Sequence, residues 1–397
     1  MNSILIRNVM LPTGERSDVL IDGNRIGSTH AAPDTEASET VDGSGFAILP
    51  AFYNTHTHAA MSLLRGYADD MPLQTWLQDY IWPYEDTLTA ADIQRGSAAA
   101  IREMVRTGCV FFNDMYFDIE GTISEVEKAG IRACIGITFM DNHPKSLCAS
   151  KAEAIRSWQD RAEGRITIAT APHAIYTAGP EQLRFSATLA REKGIPIHIH
   201  VAETRKEVDD CIRDHGTSPV RYLDSLGILG PDVIAAHCVW VDEEEWDILA
   251  RRGVTVSHCP CSNMKLGSGR FPYEKAIASG VRITLGTDGC SSNNNLDLRE
   301  EMKFASLLAK VEGDPSLLGA PQVLSWATRN GAEAFGIDAG SIEDGKLADL
   351  LLVRLDHEKM QPCHNVISNW VYAADSACID SVMCDGRFLM RGGELLF

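Results

Sequence analysis

The sequence predicts an α/β chain: a (β/α)8 barrel with a small β-sandwich domain built from both termini. Three observations predict it. Between about residues 51 and 344, short β-branched runs alternate with helical stretches, the pattern of parallel strands joined by crossovers. Both ends of the chain read instead as short strands and turns. Almost every candidate barrel strand stays apolar until its last residues and then delivers His, Asp or Glu.

Residues 1–50 carry "DVLIDGNRIGS", where Asp22-Gly23 between two apolar runs is a hairpin signal. Residues 345–397 repeat the device in "SVMCDGRFLMRGGEL" with Asp385-Gly386, behind the buried apolar run "GKLADLLLVRLD". The two terminal segments, 1–50 and 345–397, are therefore expected to form one small domain, leaving 51–344 to the barrel.

The candidate barrel strands are "FAILPAFYNTH", "CVFFNDMY", "RACIGITFM", "RITIATAPH", "PIHIHVAE", "VIAAHCVW", "VTVSHCP" and "VRITLGTDG". Helices fill the gaps with readable ends. Thr89 and Asp92 form a capping-box pattern for a helix that Gly108 stops. Thr122 and Glu125 are expected to do the same for "ISEVEKAG", and Gly194 closes "LRFSATLAREKG". About eight strands alternating with helices over roughly 290 residues is what such a barrel requires.

The 397 residues, 45% hydrophobic, can bury a sizeable core. A formal net charge of −19, spread along the chain, argues against binding a nucleic-acid backbone. The first residues lack a signal-peptide layout and no apolar run approaches the ~20 residues of a membrane span. The expectation is a soluble, cytoplasmic protein. Eleven scattered cysteines fit reduced thiols better than a disulfide framework, and the Cys259-Pro260-Cys261 spacing matches neither a redox nor a zinc-knuckle motif.

The polar residues at strand ends are His56 and His58, Asp114, Asp141, His173, His200 and Glu203, His237, His258 and Asp288. The carboxyl ends of barrel strands form one rim, where active sites are built. Residues i and i+2 of a strand point the same way, so His56 and His58 can offer two imidazoles to one ion. His200 and Asp288 supply a third nitrogen and a carboxylate oxygen, a donor set that suits one divalent metal, zinc first and iron second. His198 shares the parity of His200 one pleat deeper and reads as a hydrogen-bonded core histidine.

Glu203 is placed to shuttle a proton, or else simply begins the helix "TRKEVDDCIRD". His237 ends an apolar strand and is read as polarising a bound water rather than ligating. The loop "KLGSGR", Lys265 to Arg270, matches no phosphate-loop spacing and reads as flanking the substrate.

Together "LPAFYNTHTHAAMSLLRG", "APHAIYT", "HIHVAET", "AAHCVW", "SHCPCSNMKLGSG" and "LGTDGCSSNNNLDL" resemble the metal-dependent amidohydrolase superfamily. Within it, the chain is most similar to the deaminases acting on S-adenosylhomocysteine, 5'-methylthioadenosine and adenosine. The resemblance spans nearly the whole chain. It implies a metal on His56, His58, His200 and Asp288, with Glu203, His237 and Asp288 as catalytic residues. It further implies substrate contacts from Trp76 and Glu85 on a covering segment, with Glu85 on the ribose hydroxyls, and from His173, Glu203 and Ser292 around the base.

Ala51 stands where the family usually has glycine, a change expected only to tighten the turn. The fourth strand has no lysine after Arg165, whereas two-metal members commonly bridge their ions through a carbamylated lysine there; this argues for one metal. The stretch "GITFMDNHPKSLCASK" lacks the arginines that can hold a homocysteine carboxylate, offering only Lys145 and Lys151. The expected activity is hydrolytic deamination at C6 of an adenine nucleoside by a metal-bound hydroxide, giving the inosine analogue and ammonia. Adenosine, 5'-methylthioadenosine and 5'-deoxyadenosine are favoured over S-adenosylhomocysteine. The alternative is an aminohydrolase or chlorohydrolase of the same superfamily acting on a guanine, pterin or s-triazine ring. The partner is a small-molecule nucleoside, and the family often forms homo-oligomers.

Overall fold

The computed structural model describes residues 3–141, 155, 157–311 and 313–397. Two sheets organise them. Strands β1 (Ser3–Met10), β2 (Arg16–Asp22), β3 (Arg25–Ser28), β4 (Glu39–Asp42) and β5 (Phe46–Pro50) open the chain. The barrel follows as β6 (Phe52–Thr57), β7 (Cys109–Tyr116), β8 (Arg132–Phe139), β9 (Ile166–Pro172), β10 (Ile197–Val201), β11 (Val233–His237), β12 (Thr255–His258) and β13 (Arg282–Leu285). The C-terminal part adds β14 (Leu350–Arg354), β15 (Ile379–Cys384), β16 (Arg387–Arg391) and β17 (Glu394–Leu395). The eight barrel strands pair in parallel in sequence order, and the nine others form one sheet in which β14 lies against β5.

The expected first strand "FAILPAFYNTH" is two strands: β5 belongs to the terminal sheet and β6 to the barrel. Ala51 marks the change, its N–H donating to Asp349 O at 3.1 Å while Phe52 N–H already reaches Gly108 O at 3.0 Å. One apolar run thus serves both sheets, and nothing in its composition shows where the partner changes.

Side chains close the ring where β13 returns to β6. Thr55 Oγ1 lies 2.6 Å from Ser257 Oγ and 2.7 Å from Thr284 Oγ1, and donates to Leu285 O at 3.0 Å. Asn54 Nδ2 donates to Thr287 Oγ1 at 2.7 Å and its Oδ1 accepts from Thr287 N at 3.0 Å. Such fully buried polar groups are tolerated because each finds a partner.

Both hairpin signals are turns. Gly23, at φ +61°, takes the first central position between β2 and β3, as a type II′ turn requires. Asp385 and Gly386 both have positive φ, +53° and +73°, as in type I′. The two turns touch: Asn24 Nδ2 donates to Asp385 Oδ1 at 3.0 Å, and a Cβ on Gly386 would sit 2.2 Å from Gly23 O.

The helix Ala90–Arg106 starts on the Thr89–Asp92 capping box, and Gly194 caps Pro180–Lys193. Thr122 and Glu125 are not a cap. Their helix, Ile119–Ala129, begins one turn earlier at Asp118. Both instead bind the helix Ala90–Arg106, Thr122 Oγ1 lying 2.8 Å from Ser97 Oγ and Glu125 Oε1 accepting from Gln94 Nε2 at 2.8 Å. A tertiary contact has taken the residues that local pattern assigned to a cap. Among the described residues, no helix is long and apolar enough to cross a membrane.

A buried ion network ties the terminal sheet to the barrel. Arg132 of β8 donates to Asp349 Oδ2 at 2.9 Å and to Asp385 Oδ1 at 2.7 Å, and the Tyr53 hydroxyl also donates to Asp349. Arg132→Met should strand these carboxylates and lower unfolding free energy by about 3–5 kcal/mol, measured by urea denaturation of purified protein.

Candidate active site

Each imidazole at the barrel mouth is fixed by a neighbouring strand. His58 Nδ1 donates to Met115 O at 2.7 Å, and His200 Nδ1 donates to His173 O at 2.7 Å. His56 Nδ1 lies 2.7 Å from Nε2 of the buried His198, so the residue read as a core histidine also orients His56. These bonds leave Nε2 of His58 and His200 as lone-pair donors facing the same point.

The distances around that point are short. His58 Nε2 is 3.3 Å from His200 Nε2 and 3.3 Å from Asp288 Oδ1, and His56 Nε2 is 3.4 Å from Asp288 Oδ1. An ion with bonds of about 2.0–2.1 Å in tetrahedral geometry spaces its ligands by about 3.3–3.4 Å. His56 Nε2 is buried and has no hydrogen-bond partner among the described residues. Two facing lone pairs beside a carboxylate call for a cation, so the donor set fits a divalent metal.

The protonation energetics agree. Burial lowers His56 to about 4 and holds His200 well below the usual imidazole range. Burial works the same way on His58, but its hydrogen bond to Asp288 and that carboxylate's charge raise it to about 9. Burial pushes Asp288 up, but the adjacent His56 and His58 imidazoles hold it well below the usual carboxylate range. Without a metal, a proton on His58 supplies the positive charge.

Asp288 is also fixed from behind. Its Oδ2 accepts from Ser262 Oγ at 2.6 Å and Ser292 Oγ at 2.8 Å, and Gly289 N–H meets Oδ1 at 2.8 Å. The Ser292 hydroxyl is therefore committed to Asp288. Asp288 N–H donates to His56 O at 3.0 Å from a left-handed backbone, φ +61°. Ala202 at φ +49° and His237 at φ +70° leave their strands the same way, each conformation costing on the order of 1–2 kcal/mol. Backbone strain thus gathers where three strands hand residues to the site.

Glu203 is 4% exposed, which excludes the reading of it as a surface residue opening a helix. Burial raises its pKa, with Asp288 adding to the effect and His237 and Ser268 opposing it. Its Oε2 lies 3.9 Å from His237 Nε2, and its Oε1 accepts from Ser268 Oγ at 3.3 Å. The His237 ring stacks on His200 at 5.4 Å, and its Nδ1 meets Asn263 Oδ1 at 2.8 Å.

Glu207 was not anticipated. Its carboxylate accepts from the N–H of Ala202 at 2.9 Å and of Glu203 at 2.8 Å, clamping the turn that presents Glu203. The spacing Thr204 to Glu207 in "TRKE" is a capping-box pattern and was the available signal. Asn263 and Ser262 were also missed, and a single sequence offers no signal for them.

One cavity opens over this centre. His58, His173, His200, Glu203, His237 and Asp288 line its floor side, with Trp76, Glu85, Tyr116 and Tyr176 among its walls. Trp76 lies on a π-helical turn, Trp76–Ile81, and its indole N–H is buried without a partner among the described residues. Glu85 is 4% exposed beside Tyr116, whose phenol is pushed up by burial and by that carboxylate. His173 is half-buried, its Nδ1 2.9 Å from Thr177 Oγ1.

The loop after β12 flanks this cavity through Leu266, while Lys265 binds Asp69 Oδ1 at 2.5 Å and so pins the covering segment. Asp114, Asp141 and His258 do not join the site. Asp114 Oδ1 accepts from Thr57 Oγ1 and Ala59 N on either side of His58, Asp141 from Gly179 N, and His258 Nε2 meets the Tyr273 hydroxyl. Lys145 and Lys151 lie outside the described residues.

A parallel barrel that gathers three imidazoles and a carboxylate at its strand ends, with a second carboxylate beside them, is the build of a metal-dependent hydrolase. The chain belongs to the amidohydrolase family, whose model matches residues 47–389. It is 46% identical to a 5'-deoxyadenosine deaminase of Methanoregula boonei, over 99% of this chain and 91% of that one. To a 5-methylthioadenosine/S-adenosylhomocysteine deaminase of Archaeoglobus fulgidus it is 45% identical, over 98% and 94%. The crystal structure of an adenosine deaminase from Xanthomonas campestris with bound zinc superposes with a TM-score of 0.94 at 35% identity, over 99% and 94%.

Glu207→Ala should leave two buried N–H groups without acceptors, each worth about 1–3 kcal/mol. The measurable outcome is a lower melting temperature together with slower turnover, as Glu203 loses its fixed position.

Proposed function

We propose that the protein deaminates adenine nucleosides at C6 by hydrolysis, holding one divalent metal, zinc in the first place, on His56, His58, His200 and Asp288. The observation that carries this is the 3.3–3.4 Å spacing of buried lone-pair donors beside the protonatable Glu203. When bound, the metal makes water acidic enough to supply a nucleophile near neutral pH.

The chain's own residues handle the protons. Glu203, whose pKa burial raises, gives a proton to ring nitrogen N1. His237 takes a proton from the attacking water and returns it to Glu203, while Asp288 takes the second proton from the new C6 hydroxyl and passes it to the departing amine. Water and nucleoside enter; the inosine analogue and ammonia leave. Across the same cavity Glu85 accepts from the ribose 2' and 3' hydroxyls, with Trp76 and His173 enclosing the base.

No lysine or arginine lines the cavity among the described residues. We favour adenosine, 5'-deoxyadenosine and 5'-methylthioadenosine over S-adenosylhomocysteine, because no cation among the described residues of the cavity would meet a charged amino acid at C5'. A cytoplasmic setting agrees with the free cysteines, Cys109 to Cys384, none of them paired among the described residues.

The direct test is ammonia release from adenosine, 5'-deoxyadenosine, 5'-methylthioadenosine, S-adenosylhomocysteine, guanine and cytosine. Adenine nucleosides should react, S-adenosylhomocysteine most weakly among them; turnover of guanine or cytosine alone would refute the proposal. Glu203→Ala and Asp288→Ala should each lower kcat by about 100-fold or more. Glu85→Ala should cost roughly 10- to 100-fold in kcat/KM on a nucleoside, the loss of a charged hydrogen bond, and little on bare adenine.

Metal uptake should depend on pH in a defined direction. With His58 at about 9, metal-free protein holds a proton at pH 7 that the ion must displace. Calorimetry in buffers of different ionisation enthalpy should show about one proton released per zinc at pH 7, with affinity weakening as pH falls.

A further inference from the structure

The three proton-handling groups share one support. Within residues 262–268, Ser262 Oγ donates to Asp288 Oδ2 at 2.6 Å, Asn263 Oδ1 meets His237 Nδ1 at 2.8 Å, and Ser268 Oγ donates to Glu203 Oε1 at 3.3 Å. The bond from Ser262 is duplicated by Ser292 on the same oxygen. The bond from Asn263 has no duplicate among the described residues.

Asn263 is 2% exposed, within the short helix Pro260–Lys265 that follows β12; its backbone is held, while its side-chain Nδ2 is buried without a hydrogen-bond partner among the described residues. Its N–H donates to Cys259 O at 3.0 Å and its carbonyl accepts from Ser268 N at 2.9 Å. Its Oδ1 can only accept. The ring proton of neutral His237 must therefore sit on Nδ1, because the other tautomer would set two lone pairs against each other at 2.8 Å. Nε2 is left as an acceptor facing the cavity, 3.9 Å from Glu203 Oε2 and too far for a direct hydrogen bond.

We infer that Asn263 is a positioning residue that fixes the tautomer of His237, leaving Nε2 able to receive a proton from water. A neutral amide sets that tautomer without adding a third carboxylate beside Glu203 and Asp288. The kinetic part of this inference rests on the proposed deaminase function; the tautomer does not.

Two measurements on zinc-loaded protein test it. Nitrogen-15 NMR of histidine-labelled wild type should place the His237 proton on Nδ1, and a proton on Nε2 overturns the inference. Asn263→Leu should release that preference and lower kcat by about 100-fold, the scale of a general base, with KM within about threefold and zinc content unchanged. Asn263→Asp, which keeps an acceptor in place, should retain the Nδ1 proton and recover most of the lost kcat. A folded, zinc-loaded Asn263→Leu protein with wild-type kcat overturns the positioning role. If wild type deaminates no nucleoside, the proposed function fails while the NMR result still decides the tautomer.

Discussion

The site is governed by one electrostatic constraint: buried imidazole nitrogens crowd a carboxylate, His58 Nε2 lying 3.3 Å from both His200 Nε2 and Asp288 Oδ1 and His56 Nε2 3.4 Å from Asp288 Oδ1. Such a cluster is unstable unless positive charge sits among its members. Burial lowers His58, but its bond to Asp288 and that carboxylate's charge raise it, so positive charge is favoured at this point. The bonds from Met115, His173 and His198 keep the rings aimed inward, so the charge is accepted at one place. Left-handed backbone at Ala202, His237 and Asp288 is a conformational cost that the surrounding barrel overrides.

The barrel can hold such a cluster because its first strand does two jobs. Alternate residues of β6 face opposite ways. Thr55 joins β6 to β12 and β13 within the ring, and His56 faces Asp288 one residue later. Asp288 N–H then binds His56 O, so closure of the ring and placement of the carboxylate are one event. The terminal sheet contributes from below, where Asp349 receives Arg132 and Tyr53.

What was legible in the sequence follows from this economy. Strands buried on both faces leave continuous apolar runs, and polar residues at their ends stand out, so the eight segments and the His and Asp donors could be read directly. Hydrophobicity does not show which sheet a run joins, which is why β5 and β6 looked like one strand. Local pattern likewise misassigned Thr122 and Glu125, because a helix-to-helix contact outweighed the cap. Asn263 and Ser262 were invisible for a different reason: an amide or hydroxyl carries no mark of the partner that only folding brings within 2.6–2.8 Å.

The strand-end cluster and the residues that wall the cavity from the other side sit on separate parts of the chain. The three imidazoles, Asp288 and Glu203 stand on strand ends and the turns after them, held by backbone carbonyls and buried side chains. Trp76 and Glu85 stand on a covering segment, pinned at Asp69 by Lys265. Changes in that segment can alter what fits above the centre without moving an imidazole. Left-handed backbone at Ala202, His237 and Asp288 and the cross-bracing hydrogen bonds hold the rim, whereas Trp76 and Glu85 reach the same cavity from a separate segment.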